Sequence, residues 1–197
     1  MKLDLVFSGI GGQGIVVLSD IFCEAALLDG FDVAKAEVHG MAQRGGSIIA
    51  YARIGDNVEA PLIERGKADV ILGFEILETA RVLPMLKKGG TVVVNTKYIP
   101  PNCTVEGSTA FKKPKDLIGI LRKKALKVHE VDGEGIATKL GNVLVVNTVL
   151  LGALSALPEN PVTPDSYKKA LAARFKEKYA DLNLKAFQSG RENVALG

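Results

Sequence analysis

Two glycine-rich loops hold the residues of this sequence that are best placed to bind a charged ligand. The first loop reads Gly9-Ile10-Gly11-Gly12-Gln13-Gly14 and directly follows the apolar run Leu3–Phe7. Glycines let backbone N–H groups approach an anion, and a helix that begins there adds about half a positive charge at its N-terminus. The loop therefore predicts a site for a phosphate-bearing ligand or for the backbone of a partner protein. Close packing of a helix on a strand is the competing explanation of the same glycines.

The second loop contains an arginine between its glycines and reads His39-Gly40-Met41-Ala42-Gln43-Arg44-Gly45-Gly46-Ser47. A guanidinium beside a nest of glycine N–H groups suits a phosphate or a carboxylate. In the preceding run, Lys35, Glu37 and His39 alternate onto one face and lead to the carboxyl edge of the sheet, where open α/β sheets bind ligands. A solvated ion pair explains Lys35 and Glu37 equally well, and a strand-end cap explains His39.

The cofactor-binding candidates all belong to these two loops and the strand between them. They are Gly9, Gly11, Gly12, Gln13, Gly14, Glu37, His39, Gln43, Arg44, Gly45, Gly46 and Ser47. No catalytic residue or metal ligand is predicted, because the sequence has no nucleophile elbow, no HExxH, no paired-carboxylate signature and no Walker A lysine. We expect the chain to hold a ligand or to complete a site that it shares with another protein.

Composition and charge exclude several classes of protein. The chain has 197 residues, a net charge of +3 and 47% hydrophobic residues, which fits a soluble globular protein that does not bind nucleic acid. Its two cysteines cannot ligate an iron–sulfur cluster on their own, and they fit the reducing cytosol. The N-terminus shows no signal-peptide pattern, and the most apolar stretch, Val143–Leu157, is too short to span a bilayer comfortably. We therefore expect a cytoplasmic protein without a membrane partner.

Hydrophobic runs and turn residues predict strands that alternate with helices. Strands are predicted at Leu3–Ser8, Val33–Val38, Ser47–Ile54, Ala68–Phe74, Thr91–Asn95 and Leu126–Val131. Helices are predicted at Gln13–Leu28, Ile76–Lys87, Pro114–Lys124 and Gly141–Leu157, and a further helix that Thr163 caps and Pro164 begins continues through the charged tail. The helix at Gly141–Leu157 places small residues on one face, which allows another element to approach it closely.

These elements predict the fold class α/β, a three-layer sandwich with a mostly parallel open sheet, helices on both faces and a C-terminal helical tail. The step from the second strand to the third has no helix, so at least one departure from strict alternation is expected. We assign residues 1–157 to the α/β domain and residues 158–197 to the tail, packed on the same domain.

The pairing of the two loops resembles the gamma-type domain of the 2-oxoacid:ferredoxin oxidoreductases, in particular the small (beta) subunit of the indolepyruvate type. The run His39-Gly40-Met41-Ala42-Gln43-Arg44-Gly45-Gly46 is the most specific part of the likeness. The stretch from Leu140 to Ala153 also resembles the later helix of that subunit, so the likeness covers most of residues 1–155.

The resemblance implies the oxidative decarboxylation of an arylpyruvate with coenzyme A, which gives an aryl-acetyl-CoA, carbon dioxide and reduced ferredoxin. It also implies a large (alpha) partner subunit that carries thiamine diphosphate and [4Fe–4S] clusters, so that this chain holds neither. Coenzyme A at Gly11–Gly14 and Arg44–Ser47 is the hypothesis for the glycine loops, and a subunit interface is the alternative.

Three other functions remain open on the sequence alone. The chain could be a gamma subunit of the pyruvate or 2-oxoglutarate type. It could be a small NAD(P)- or flavin-binding Rossmann oxidoreductase with Glu37 on the ribose, although no catalytic tyrosine–lysine pair is visible. It could also be a purely structural subunit whose loops only pack on a partner.

Overall fold

The computed structural model describes residues 2–40, 45–100 and 113–195. Six strands within these ranges form one sheet: β1 (Leu3–Ile10), β2 (Asp32–His39), β3 (Ser47–Gly55), β4 (Ala68–Gly73), β5 (Leu86–Asn95) and β6 (Lys127–Val131). The helices of the same ranges are α1 (Ile15–Leu28), α2 (Ile76–Val82), α3 (Pro114–Lys124), α4 (Gly133–Lys139), α5 (Val146–Ser155), α6 (Pro164–Arg174) and α7 (Glu177–Ala195). The α/β fold class is confirmed.

The sheet is mixed, with the strand order β2-β3-β1-β4-β5-β6. β1, β4, β5 and β6 pair in parallel, whereas β3 is antiparallel to both β1 and β2. Five strands therefore run in one direction and only β3 opposes them, which is the departure from alternation that the missing helix predicts. Both glycine loops consequently lie at the edge where these five strands have their carboxyl ends.

Helices cover both faces of the sheet, and the C-terminal helices share the larger core with it. Aromatic rings connect β1 to α1, α6 and α7: the ring centroids of Phe7 and Phe22 lie 5.9 Å apart, those of Phe22 and Tyr167 6.3 Å, and those of Tyr167 and Phe187 5.6 Å. On the opposite face, a second core packs the sheet against α2 and α3. The division of the chain at residue 157 stays a prediction.

Glycines let α5 and α7 approach each other at backbone distance. A Cβ atom added to Gly152 would lie 2.0 Å from the carbonyl oxygen of Phe187, and one added to Gly190 would lie 1.9 Å from that of Val149. The Thr148 hydroxyl on the same face of α5 donates to Asn183 Oδ1 at 2.7 Å. The small-residue face thus receives another element closely, as expected, and that element is a helix of the same chain.

Two helix boundaries differ from the prediction because of local backbone constraints. The predicted helix at Ile76–Lys87 ends at Val82, since Pro84 cannot donate a helical hydrogen bond, and β5 begins already at Leu86. Gly141 adopts the left-handed φ of 85°, so the later helix starts only at Val146, after a short 3-10 turn over Val143–Val145.

One helix was missed, and the tail contains two helices where one was predicted. Asp132 caps α4 by accepting the N–H of Gly135 at 2.9 Å. The first turn of α4 contains two glycines, and because glycine has a low helix propensity, the sequence did not predict this helix. Thr163 caps α6 and Pro164 begins it, as predicted. Phe175 is extended and ends α6, so α7 is a separate helix that begins at Glu177.

Candidate functional site at the carboxyl edge of the sheet

A backbone hydrogen bond joins the two glycine loops into one surface. The Gly11 N–H donates to the carbonyl oxygen of Gly46 at 2.9 Å, and Ile10 lies opposite Ser47 in the pairing of β1 with β3. The second loop is closed at its base, where the Gly40 N–H donates to the carbonyl oxygen of Ser47 at 2.8 Å. The two motifs therefore form one site at the end of β1.

The N-terminus of α1 opens onto this surface without a neutralising group of its own. Gly14 is the N-cap residue with a φ of 79°, no side chain of the described residues caps the helix, and its first turn holds no acidic residue. The first N–H groups of a helix have no partner within the helix, and their partial positive charge favours an anion. The side chain of Asn147 packs against Gly14, because an added Cβ would lie 2.7 Å from its Nδ2.

Two side-chain amides brace the strand ends beneath the first loop. Gln13 accepts the N–H of Ile10 at 2.7 Å through Oε1 and donates to the carbonyl oxygen of Phe74 at 3.2 Å through Nε2. Asn95 Nδ2 donates to the same carbonyl at 3.1 Å, and Asn95 Oδ1 accepts the N–H of Gly133 at 3.1 Å. The Gln13 amide therefore fixes the ends of β1 and β4, in addition to any contact it makes with a ligand.

The glycines of the first loop fall into three groups according to what their own chain requires. A Cβ added to Gly9 would lie 2.5 Å from Gln13 Oε1 and 2.8 Å from Phe74 Cβ, so packing alone accounts for Gly9. Gly12 has a φ of 97° and open space around it. Gly11 has neither a tight contact nor a left-handed backbone, since its φ is not positive and an added Cβ would meet its nearest neighbours among the described residues at 3.7 Å. The described residues therefore do not explain the glycine at position 11.

A cavity of about 390 Å³ lies beside the first loop, between the loop and the segment that precedes α5. It is lined by Gly12, Gln13, Phe74, Lys97, Glu134, Val143, Leu144, Val146 and Asn147. Lys97 is an exposed cation at the carboxyl end of β5, and Glu134 lies in the first turn of α4. The cavity thus combines one cation, one carboxylate and aliphatic side chains, which suits a ligand with both polar and apolar parts.

Sequence reasoning missed the far wall of this cavity, which lies opposite the first loop and is formed by Lys97, Val143, Leu144 and Asn147. Lys97 follows β5 closely, so the rule that ligands bind at the carboxyl edge could have identified it. Val143 and Leu144 carried no signal, because they fall inside a stretch that the sequence presents as a continuous helix. Asn147 lies within the stretch from Leu140 to Ala153 that carries part of the family resemblance, but it was not predicted as a site residue.

Lys35, Glu37 and His39 form a connected polar chain on one face of β2, as their alternation predicts. Lys35 Nζ lies 2.6 Å from Glu37 Oε1 and also pairs with Asp20 of α1, and His39 Nε2 lies 3.1 Å from Glu37 Oε2. The hydrogen bond from Lys35 holds the pKa of Glu37 below its ordinary value. Burial alone would lower the pKa of Lys35, but its bonds to Asp20 and Glu37 outweigh burial and raise it.

The position of β2 differs from that of the acid-bearing strand in a dinucleotide-binding fold. β3 lies between β1 and β2, so Glu37 is two strand spacings from the first loop, roughly 10 Å in the plane of the sheet. In the Rossmann order the two strands are neighbours. The expectation that Glu37 lies where such a fold places its ribose acid is therefore wrong.

The remaining candidates of the second loop are only partly described. Gly45 has a φ of 67°, and Gly46 provides the carbonyl that contacts the first loop. Gln43 and Arg44 lie outside the described residues, so their roles stay predictions.

The described ranges contain no group of three or more His, Cys, Asp or Glu side chains that could hold a metal ion. In the same ranges, none of the helices has the length and apolar character that crossing a membrane requires.

Comparisons with known proteins agree with this fold. The family model for pyruvate ferredoxin/flavodoxin oxidoreductase matches residues 4–193. The chain is 40% identical over 197 residues to the indolepyruvate oxidoreductase subunit IorB of Archaeoglobus fulgidus, covering 100% of this chain and 98% of that protein. It is 29% identical to the common gamma subunit of the pyruvate/ketoisovalerate oxidoreductases of Thermococcus litoralis, with 98% of each chain covered.

A solved structure with the same fold is the gamma subunit of the keto/oxoacid ferredoxin oxidoreductase of Geobacter sulfurreducens. It superposes with a TM-score of 0.73 at 26% identity and covers 99% of both chains. The family match spans nearly the whole sequence, and the resemblance carried by the two glycine loops is confirmed. The chain belongs to the pyruvate ferredoxin/flavodoxin oxidoreductase family.

Proposed function

We propose that this chain is the small subunit of an arylpyruvate:ferredoxin oxidoreductase and that its joined glycine loops bind coenzyme A. In the reaction, the C1–C2 bond of the keto acid breaks to release carbon dioxide, the acyl carbon is transferred to the thiol of coenzyme A, and the electrons released reduce ferredoxin. The chain completes a complex with a larger subunit in the cytoplasm. The isolated chain is expected to be inactive.

The identity of the relatives favours an arylpyruvate over other 2-oxoacids. The full-length relative at 40% identity is named for indolepyruvate, whereas the relative named for pyruvate and ketoisovalerate is only 29% identical. A gamma subunit of the pyruvate type is the alternative that the experiment below tests.

The surface at the N-terminus of α1 supports coenzyme A as the ligand. The helix end has no capping side chain among the described residues and no carboxylate in its first turn, so its N–H groups would favour the phosphates of coenzyme A. Lys97 adds a positive charge in the adjoining cavity, where the Glu134 carboxylate lies as well. The aliphatic residues of the cavity suit the pantetheine arm. The observation that carries this proposal is Gly11, because the described residues leave room for a side chain there and do not themselves require a glycine.

Thiamine diphosphate and the [4Fe–4S] clusters are assigned to the larger subunit. The cysteines of this chain do not fit a cluster, since Cys23 is buried and burial raises the pKa of its thiol to about 12, which opposes the thiolate form that ligates iron. Cys103, the other cysteine, is a single residue far away in sequence. In the complex, the coenzyme and clusters of the larger subunit would supply the decarboxylation and electron transfer.

The test is to co-express this chain with the large subunit from the same organism and to measure ferredoxin reduction. Indolepyruvate and phenylpyruvate should be oxidised with a kcat/KM at least tenfold above that for pyruvate and 2-oxoglutarate, and only when coenzyme A is present. A preference for pyruvate would assign the chain to the other type, and turnover that does not depend on coenzyme A would contradict the proposed acceptor.

A further inference from the structure

Two consecutive aliphatic side chains protrude from the wall of the candidate site. Val143 is 58% exposed and Leu144 is 80% exposed, the highest value among the large hydrophobic side chains that the structure describes. Single exposed aliphatic residues are common on protein surfaces and need no explanation. This pair differs, because it lies at the edge of the cavity beside Gly12 and is held in place by the backbone around it.

Hydrogen bonds fix the turn that presents Leu144. The Asn142 N–H donates to the carbonyl oxygen of Ala137 at 3.1 Å, and Asn142 Oδ1 accepts the N–H of Leu144 at 2.9 Å. Val145 is buried and anchors the end of the turn in the core. Leu144 therefore cannot turn inward without breaking these bonds. A side chain that is already fixed in its binding position loses little conformational entropy when a partner covers it.

The surroundings of the turn have the layout of a protein interface. The aliphatic pair forms an apolar centre at the mouth of the cavity, and Gly12 opposite it has no side chain. Lys97 and Glu134 supply charges of opposite sign at the rim. An apolar centre with a polar rim is typical of protein–protein contacts, whereas a nucleic acid would require charge of one sign.

The electrostatics of this edge favour a different protein over a second copy of this chain. A symmetric dimer through the turn would bring two α1 N-termini near the same axis, and both are positive ends without a first-turn carboxylate. A different subunit can present an apolar side chain to Leu144 without bringing a second positive helix end to this edge. The relative at 40% identity is itself named as a subunit of an oxidoreductase.

We propose that Val143 and Leu144 are the anchor by which a larger protein subunit docks on the carboxyl edge, with an aliphatic or aromatic side chain of that subunit packed on the exposed face of Leu144, at the mouth of the cavity and outside the space left for the coenzyme. This inference rests on the proposed function only in taking the large oxidoreductase subunit as the partner. The docked subunit would close the cavity and join its own site to the glycine loops.

The experiment measures the affinity of this chain for the purified large subunit in four forms: wild type, Leu144→Ser, Leu144→Met and Leu27→Ser. Leu27 is a matched control, because it is 58% exposed but lies in the last turn of α1, at the opposite edge of the sheet. Leu144→Ser should weaken the Kd at least tenfold without changing the melting temperature, Leu144→Met should restore most of the affinity, and Leu27→Ser should bind like the wild type.

Three results would overturn the docking proposal. They are wild-type affinity in Leu144→Ser, equal losses in both serine variants, and an isolated chain that dimerises in sedimentation experiments and becomes monomeric in Leu144→Ser. If the wild-type chain and the large subunit do not bind each other, both the docking proposal and the proposed function are overturned. A complex that forms through Leu144 but does not oxidise arylpyruvates would contradict the proposed function, whereas the docking proposal would still hold.

Discussion

The backbone N–H of Gly11 donates to the carbonyl oxygen of Gly46 at 2.9 Å, and this bond unites two loops that are far apart in the sequence. It follows from the topology, because β3 lies next to β1 and begins where β1 ends. The second loop therefore lies beside the first, although β2, which leads into it, is one strand further away. A ligand at the N-terminus of α1 consequently meets both loops.

The contact between α5 and α7 makes a prediction about stability. Gly152→Ala should lower the free energy of unfolding by about 3 kcal/mol, because the new Cβ would overlap the backbone of α7 and the two helices must separate. Gly119→Ala in α3 is the matched control, since none of the described residues lies within 4 Å of its added Cβ. That change should instead stabilise the chain by about 0.5–1 kcal/mol. Urea unfolding of both variants checks the pair, and similar effects of the two changes would contradict the helix contact.

Asp29 makes stability depend on pH at the junction of α1 and α6. Burial alone would raise the pKa of its carboxyl, but hydrogen bonds from Ser166 and Thr163 outweigh burial and hold the pKa below its ordinary value. The folded state therefore gains stability that is present above the ordinary pKa of an aspartate and is lost as the pH falls through the lowered one.

The variant Asp29→Asn tests this dependence by urea unfolding at several pH values. It should be less stable than the wild type by about 1 kcal/mol near pH 6, and the difference should shrink as the pH falls below about 4. Asp32→Asn, which removes an exposed carboxylate at the start of β2, is the control and should show little change. A difference between Asp29→Asn and the wild type that stays constant with pH would argue against the hydrogen-bonded carboxylate.

Lys97 should contribute to the binding of the coenzyme through its charge. In the reconstituted complex, Lys97→Ala should raise the KM for coenzyme A by about threefold at low salt, since an exposed ion pair is worth at most about 1 kcal/mol. The effect should diminish at high ionic strength. Lys139→Ala, at the far end of α4, serves as the control. An increase that is independent of salt would assign Lys97 a structural role.

The sequence predicts the fold and the two loops well because those features depend on local patterns. Alternating apolar runs identify the six strands, and the absence of a helix between β2 and β3 correctly predicts a departure from parallel order. The position of β3 between β1 and β2 depends on which strands pair in three dimensions, so no local pattern contains it. For this reason Glu37 was expected near the ribose position of a dinucleotide fold and lies elsewhere.

The far wall of the candidate cavity escaped prediction for a different reason. Val143 and Leu144 read as part of an apolar helix, and only the left-handed Gly141 and the Asn142 cap turn them outward. The internal role of Gln13 was equally hidden, because its partner Phe74 belongs to a strand end much later in the chain. Contacts of this kind become visible only when the strand order is known.

The most direct test of the proposed site is the KM for coenzyme A of the reconstituted complex that carries Gly11→Ala. We expect this change to leave the fold intact, since the added Cβ has ordinary contacts at 3.7 Å with the described residues and the backbone bond to Gly46 is retained. We predict an unchanged melting temperature and an unchanged amount of complex, with a KM for coenzyme A at least tenfold higher. A KM and a kcat equal to those of the wild-type complex would contradict the assignment of coenzyme A to the joined glycine loops.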